Sequence, residues 1–151
     1  MGKFNTINEI LDFAIQSEQE AVEFYTELST MAESQEIKMI FLDYAKEEMG
    51  HKAKLLQIKE GNWFVSESAP IVDLKISDYL APVEISSEMT YQQALVTAMK
   101  REKAAFRLYT TLASKTENVD LTEIFLLLAQ EEAKHKLRFE VEYDEYILKE
   151  N

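Results

Sequence analysis

The sequence contains two histidines, and each stands three residues after a glutamate: Glu48 precedes His51, and Glu132 precedes His135. On a helix, residues three apart project from one face, about one turn from each other. Each pair can therefore offer an oxygen and a nitrogen to the same metal ion. Oxygen-rich ligation with one imidazole per metal is typical of iron or manganese, and zinc also accepts these ligand types.

The two Glu-x-x-His motifs belong to an internal repeat. Shifting the sequence by 84 residues superimposes its two halves. The matched residues include Ala14 and Ala98, Glu18 and Glu102, Tyr25 and Tyr109, Phe41 and Phe125, and both members of each motif. Any two amphipathic helices of similar register share apolar positions, but that does not explain the matched histidines. We therefore interpret the sequence as a duplicated helical hairpin.

The repeat also selects one glutamate from each remaining helix. Glu18 aligns with Glu102, whereas Glu20 and Glu23 have no acidic counterpart. Two Glu-x-x-His motifs and two lone glutamates form the ligand set of di-iron carboxylate bundles. We therefore predict a site for two metal ions, with iron as the first choice and manganese or zinc as alternatives. Its predicted ligands are Glu18, Glu48, His51, Glu102, Glu132 and His135.

Four further residues of the repeat lie close to these ligands. Glu47 and Glu131 are matched to each other but lie one residue off the spacing to histidine, and we interpret them as surface groups in preference to groups that support the ligands. Tyr25 and Tyr109 follow the lone glutamates by two turns on the same face. We predict that each hydrogen-bonds a ligand from the opposite half, and ordinary core packing is the alternative.

The charges of this residue set also favour metal binding. Four carboxylates balance two divalent ions, and neutral imidazoles add no charge. The repeat aligns no lysine or arginine among the ligands. We therefore expect burial of the metal-free cluster to cost on the order of several kcal/mol, which only protonation or cation binding can offset.

Hydrophobic periodicity predicts the helices that would position these residues. Apolar residues at three- and four-residue intervals favour helices at about 7–31, 35–60, 91–114 and 121–148. The predicted helix starts carry Thr6, Ser34 and Thr90 as caps, and Asp120 with Glu123 as a capping box.

A long segment at about 62–89, which contains both prolines, connects the second helix to the third. We predict that it crosses over between two antiparallel hairpins, with a possible short helix at 76–80. A chain of 151 residues with 46% apolar content is long enough for one core and short for two domains. The expected fold is a single all-α domain, a four-helix bundle.

Composition excludes several classes of function. A formal net charge of −12 argues against a nucleic-acid partner, because phosphate binding relies on clustered lysine and arginine. The absence of cysteine excludes disulfides and cysteine-ligated metal sites within the chain. No signal-like or membrane-spanning apolar stretch occurs, so we expect a cytoplasmic protein without a membrane partner.

The four motifs resemble those of the rubrerythrin-like branch of the ferritin-like superfamily. Its helices carry a lone Glu, then Glu-x-x-His, then the same again. The corresponding segments here are Ser17-Glu18, Glu47-Glu48-Met49-Gly50-His51, Lys100-Arg101-Glu102 and Glu131-Glu132-Ala133-Lys134-His135. The resemblance implies a ferritin-like bundle, a di-iron oxidoreductase that reduces peroxide or dioxygen, and a homodimer. Alternatives are iron storage or ferroxidation, and a bundle whose metal is only structural.

The sequence departs from rubrerythrins at two points. Rubrerythrins usually append a rubredoxin-like domain with Cys-x-x-Cys pairs, and this chain has no cysteine. They also carry an additional glutamate three residues after the third-helix ligand, where this chain has Ala105. We therefore expect a stand-alone di-metal bundle that receives electrons from an external rubredoxin or flavoprotein.

Overall fold

A computed structural model describes residues 6–61 and 88–150 of the chain. Within these ranges it contains four helices, α1 (Ile7–Ser29), α2 (Gln35–Glu60), α3 (Tyr91–Lys115) and α4 (Val119–Glu150), and no strand. The predicted all-α bundle is confirmed. The segment 62–87, with the short helix predicted at 76–80, lies outside the described residues.

The helices pair as two antiparallel hairpins, α1 with α2 and α3 with α4. Near the open end of the first hairpin, Lys59 of α2 forms an ion pair with Asp12 of α1. In the second hairpin, Tyr91 at the start of α3 donates a hydrogen bond of 2.7 Å to Glu142 near the end of α4. The hairpins meet through the backbones of α1 and α3 and through side chains of α2 and α4. In the described ranges, no helix combines the length and the apolar character that a membrane span needs.

Side chains cap the first three helices as predicted. Thr6 accepts a hydrogen bond from the backbone N–H of Glu9, and Ser34 accepts one from that of Ile37. Thr90 forms a full capping box with Gln93, in which each side chain accepts from the other residue's backbone N–H. These bonds satisfy backbone donors that have no partner within a helix.

The start of α4 differs from the prediction. The helix begins at Val119, and the side-chain oxygen of Asn118 accepts hydrogen bonds from the backbone N–H groups of Asp120 (2.9 Å) and Leu121 (3.2 Å). The predicted capping box of Asp120 with Glu123 is wrong, because Asp120 already lies inside the helix. Asparagine is among the strongest N-cap residues, so the physical rule holds at a position two residues earlier.

Two apolar clusters fill the bundle, one on each side of a polar layer. The first contains Ile10, Leu11, Ala14, Leu108, Leu112 and Phe125, and the second contains Phe24, Leu28, Phe41, Leu95 and Phe139. Along α1, the first cluster takes residues from 7 to 14 and the second from 21 to 28, so Glu18 lies between them. Along α3, Glu102 lies between them in the same way. The polar layer is therefore sealed by apolar side chains at both ends.

Candidate metal centre

Six side chains from all four helices meet in the polar layer. They are the six predicted ligands, Glu18, Glu48, His51, Glu102, Glu132 and His135, and all are buried. Because the two hairpins pack against each other, equivalent residues from both halves of the repeat lie in the same layer. Glu20 and Glu23, the competing acids of α1, belong to neither of the ligand groups found among the described residues.

The six residues form two overlapping groups. In each group, one nitrogen or oxygen atom from every member lies within 4.8 Å of the others. One group is Glu18, Glu48, His51 and Glu132, and the other is Glu48, Glu102, Glu132 and His135. Glu48 and Glu132 belong to both groups and so lie where a carboxylate can bridge two metal ions.

Both imidazoles direct their Nδ1 atom into the layer. His51 Nδ1 lies 2.9 Å from Glu132 Oε1, and His135 Nδ1 lies 3.1 Å from Glu48 Oε1. Each histidine thus faces the shared carboxylate of the other hairpin. The contacts cross between the hairpins, so the site requires both halves of the chain.

The outer nitrogen of each histidine contacts a second carboxylate. His51 Nε2 lies against Glu131, and His135 Nε2 lies 2.7 Å from Glu47 Oε2. A carboxylate at this position fixes the orientation of the ring and increases the basicity of the nitrogen that faces the metal. Interpreting Glu47 and Glu131 as surface groups was therefore wrong, although both side chains are partly exposed. Their match in the repeat was the available evidence for this role.

The lone glutamates each accept a hydrogen bond from a buried tyrosine of the other hairpin. Tyr25 donates to Glu102, and Tyr109 donates to Glu18. This is the geometry expected from the repeat. Burial, together with the negative charge of Glu18, raises the pKa of Tyr109 well above its ordinary value, so its hydroxyl stays a donor.

Arg101 is the member of the layer that the sequence analysis missed. Its side chain is 2% exposed, and its guanidinium contacts all four glutamates. Nη1 lies 2.9 Å from Glu48 Oε2 and 3.4 Å from Glu102 Oε1, and it also contacts Glu132. Nη2 lies 3.1 Å from Glu18 Oε1. The expectation that no positively charged side chain lies among the ligands is therefore wrong.

The sequence did carry evidence for this arginine. Arg101 follows Ala98 by three residues and precedes Ala105 by four, so it lies on the buried face of α3. The repeat hid it, because the equivalent residue in the first half is Ser17. Selecting candidates by their match between the halves could find only paired residues.

The four glutamates differ in the direction of their pKa shifts, because burial acts on all of them and Arg101 outweighs it in only two. Burial raises the pKa of Glu48 and Glu102 well above the ordinary value, and neighbouring carboxylates raise it further. Burial also acts on Glu18 and Glu132, but the charge of Arg101 and hydrogen bonds outweigh it, and the pKa of each is lowered. In the metal-free cluster, burial therefore favours the protonated form of Glu48 and Glu102, and Arg101 favours the ionised form of Glu18 and Glu132.

His51 completes this charge balance. Burial alone would lower its pKa, but the close carboxylates of Glu132 and Glu18, with their negative charges, raise the pKa to about 11. In the metal-free cluster, the positive charges of His51 and Arg101 therefore lie against the carboxylates of Glu18 and Glu132.

Comparison with known proteins assigns this chain to a family. The family model described as Rubrerythrin matches residues 9–91 and 93–151. The chain belongs to the rubrerythrin family. No curated protein gives a significant sequence match.

Two solved structures share the fold of this rubrerythrin-family chain. A hypothetical protein from Pyrococcus furiosus superimposes with a TM-score of 0.74 at 23% identity, covering 90% of this chain and 87% of its own. An uncharacterized conserved protein from Magnetospirillum magnetotacticum superimposes with a TM-score of 0.62, also at 23% identity, covering 90% of this chain and 92% of its own.

The donor atoms of the cluster suit the di-iron site that its rubrerythrin-family membership indicates. Among the carboxylate and imidazole atoms of the six ligands, seven buried atoms make no hydrogen bond: Nδ1 of His51 and of His135, both carboxylate oxygens of Glu48, and one oxygen each of Glu18, Glu102 and Glu132. Buried polar atoms are nearly always satisfied, and each one left without a partner costs about 1–3 kcal/mol. Carboxylate oxygen and imidazole nitrogen are donors that suit iron and manganese. The residues therefore fit a pair of metal ions.

Proposed function

We propose that this rubrerythrin-family chain is a non-haem di-iron oxidoreductase that reduces hydrogen peroxide or dioxygen. The observation that carries the proposal is the pair of overlapping groups that share Glu48 and Glu132. Each metal would have one imidazole, one lone carboxylate and two shared carboxylates. Iron in these positions would supply the electron transfer that the side chains themselves cannot perform.

The protein would contribute geometry, charge and exclusion of water. The tyrosine hydroxyls hold the lone glutamates, and Glu47 and Glu131 hold the histidine rings. The apolar clusters close the layer on both sides, which strengthens every electrostatic interaction inside it. Reducing equivalents would come from an external rubredoxin or flavoprotein, as part of the same proposal.

The ligand assignment is tested by metal content. We expect the wild-type chain to bind two ferrous ions per chain. Glu48→Ala and His51→Ala should lose this binding, because each variant removes one ligand from the buried cluster and nothing replaces it. Glu20→Ala is the matched control, since Glu20 lies on α1 near Glu18 but outside both groups. Elemental analysis after anaerobic loading gives the result. Two tightly bound irons in both ligand variants would refute the assignment.

The reaction is tested with the ferrous protein under anaerobic conditions. Two ferrous ions supply two electrons, which with two protons convert one hydrogen peroxide to two waters. We expect rapid oxidation at one peroxide per two irons, a diferric absorption spectrum, and repeated turnover when a chemical reductant is supplied. Dioxygen is compared in a parallel experiment.

The same samples separate the rival functions. Accumulation of ferric iron far beyond two ions per chain would indicate storage or ferroxidation in place of the proposed activity. Metal-dependent stability without oxidation by peroxide or dioxygen would indicate a structural metal. Either result contradicts the oxidoreductase proposal but leaves the ligand assignment intact.

A further inference from the structure

Arg101 breaks the two-fold symmetry of the layer. The four central glutamates, the two histidines, the two tyrosines and the two outer glutamates all form matched pairs between the halves. Arg101 has Ser17 as its counterpart, so the layer holds one arginine where the repeat would place two or none. The two ligand groups therefore differ in their electrostatic surroundings.

In the His51 group, Arg101 and the histidine use different oxygens of the same carboxylates. Arg101 contacts Oε1 of Glu18 and Oε2 of Glu48 and Glu132. His51 Nδ1 faces the other three oxygens, at 3.6 Å for Glu18 Oε2, 3.7 Å for Glu48 Oε1 and 2.9 Å for Glu132 Oε1. Those three oxygens and the Nδ1 atom make no hydrogen bond. Arg101 contacts none of these four atoms, so a metal ion that replaces the proton of His51 can bind there while Arg101 keeps its contacts.

The His135 group is different. Its lone carboxylate, Glu102, turns Oε1 toward His135 Nδ1 at 3.7 Å. The same oxygen accepts from Arg101 Nη1 at 3.4 Å and from Tyr25, whereas Glu102 Oε2 makes no hydrogen bond. Glu18 Oε1 is held in a similar way, by Tyr109 and by Arg101 Nη2, so the difference between the groups lies in which nitrogen of Arg101 contacts them. The same Nη1 atom also contacts Glu48 and Glu132, so one nitrogen of the guanidinium contacts all three glutamates of this group.

We propose that the two metal positions are unequal: the His51 group binds the first metal ion, and Arg101 serves as the built-in cation of the His135 group, which takes a second ion only when the guanidinium withdraws. The proposal rests on the proposed function only in treating the cluster as a metal site. Arginine remains charged under all relevant conditions, so loss of a proton cannot remove its positive charge from the site. The guanidinium must therefore move away before a second metal ion binds.

The size of the effect follows from Coulomb's law. A guanidinium a few ångströms from a divalent ion repels it even at a high effective dielectric, so the second affinity should be at least about tenfold below the first. A centre of this kind would hold one ion firmly and exchange the other. Metal content would then depend on how the protein was prepared.

A titration with Mn²⁺, followed by the electron paramagnetic resonance of the free ion, tests the inequality. For the metal-free wild-type chain we expect two dissociation constants that differ by about tenfold or more. Arg101→Gln removes the charge while retaining hydrogen-bonding capacity, so the second affinity should rise and the two constants should converge. Arg107→Gln removes an exposed arginine from the same helix and should leave both constants unchanged.

A second pair of variants identifies which position binds metal first and retains Arg101 itself. Glu18→Gln alters the lone carboxylate of the His51 group and should weaken the tighter site. Glu102→Gln alters its counterpart in the repeat and should leave the first binding step at its wild-type affinity. If Arg101→Gln does not fold, these two variants still show which of the two positions binds metal first.

The outcomes separate this inference from the proposed function. Two equal sites in the wild-type chain, or equal losses in Glu18→Gln and Glu102→Gln, would overturn the inference and leave the di-metal site standing. No binding in the wild type or in any variant would overturn both proposals at their common premise. Unequal sites without reaction toward peroxide or dioxygen would support the inference and contradict the proposed function.

Discussion

Glu131 and Glu47 act on the metal centre through histidine rings. Each carboxylate holds the outer nitrogen of an imidazole whose inner nitrogen faces the central glutamates. Both carboxylates reach the surface, while the histidines they contact are buried. These contacts connect the buried layer to solvent on the face formed by α2 and α4.

Removing the charge of either outer carboxylate should weaken metal binding without unfolding the chain. We expect Glu131→Gln and Glu47→Gln each to lower metal affinity by about 10–100-fold, because the ring loses the partner that orients it. Mn²⁺ titration measures the change. Glu123→Gln, at an exposed position on α4, is the control and should behave as wild type. Wild-type affinity in both test variants would show that these contacts do not support the site.

At the residue scale, the sequence predicts correctly those site residues that occur as matched pairs in the two halves of the repeat. Six central residues were selected because a histidine and two glutamates recur at one shift, and the structure brings all six together. Arg101 has no pair, and only its place on the buried face of α3 pointed to it. Glu47 and Glu131 were paired but were judged by spacing along one helix, whereas their contacts lie across the bundle.

At the scale of the helices, the start of α4 depends on one side chain. Asn118 accepts hydrogen bonds from two backbone N–H groups that have no partner within the helix. Periodicity predicted the existence of all four helices, because each must bury one apolar face. It could not fix the first residue of α4, since Asn118, Asp120 and their neighbours all have residue types that occur at helix starts.

The cap of α4 can be tested by comparing two alanine variants. Asn118→Ala should lower the free energy of unfolding by about 1 kcal/mol. For a chain of this length that corresponds to a fall in melting temperature of about 2–4 °C. Asp120→Ala, which removes the residue first predicted as the cap, should cost less, because its loss affects only the interaction with the helix dipole. Thermal unfolding followed by circular dichroism measures both; a larger loss for Asp120→Ala would contradict the assigned cap.

At the scale of the whole molecule, a layer of ionisable groups joins the two hairpins in the middle of the bundle. In the metal-free chain, Glu48, Glu102 and His51 all have raised pKa values, that of His51 reaching about 11. Between the ordinary pKa values and these raised ones, the folded chain binds more protons than the unfolded chain. Folding stability must therefore fall as pH rises through this interval.

We expect the melting temperature of the metal-free chain to fall steadily from about pH 5 to about pH 9. The lowered pKa values of Glu18 and Glu132 act only below their ordinary range, so they do not oppose this trend. Saturating Mn²⁺ should reverse it, because metal binding requires deprotonated ligands and strengthens as pH rises. Scanning calorimetry of both forms across this range gives the test. A metal-free chain that becomes more stable toward pH 9 would show that the layer does not hold these protons.

The single arginine also bears on the ancestry of the chain. Every ligand group draws on both hairpins, so two copies of one ancestral hairpin, paired about a two-fold axis, would already have contained the four glutamates, the two histidines and the two tyrosines. Such a pair of identical chains could carry the arginine twice or not at all. A single guanidinium among the carboxylates requires both halves to lie in one chain, where position 101 can differ from position 17. One chain can thus encode a difference between the halves of the centre that a symmetric dimer of hairpins cannot.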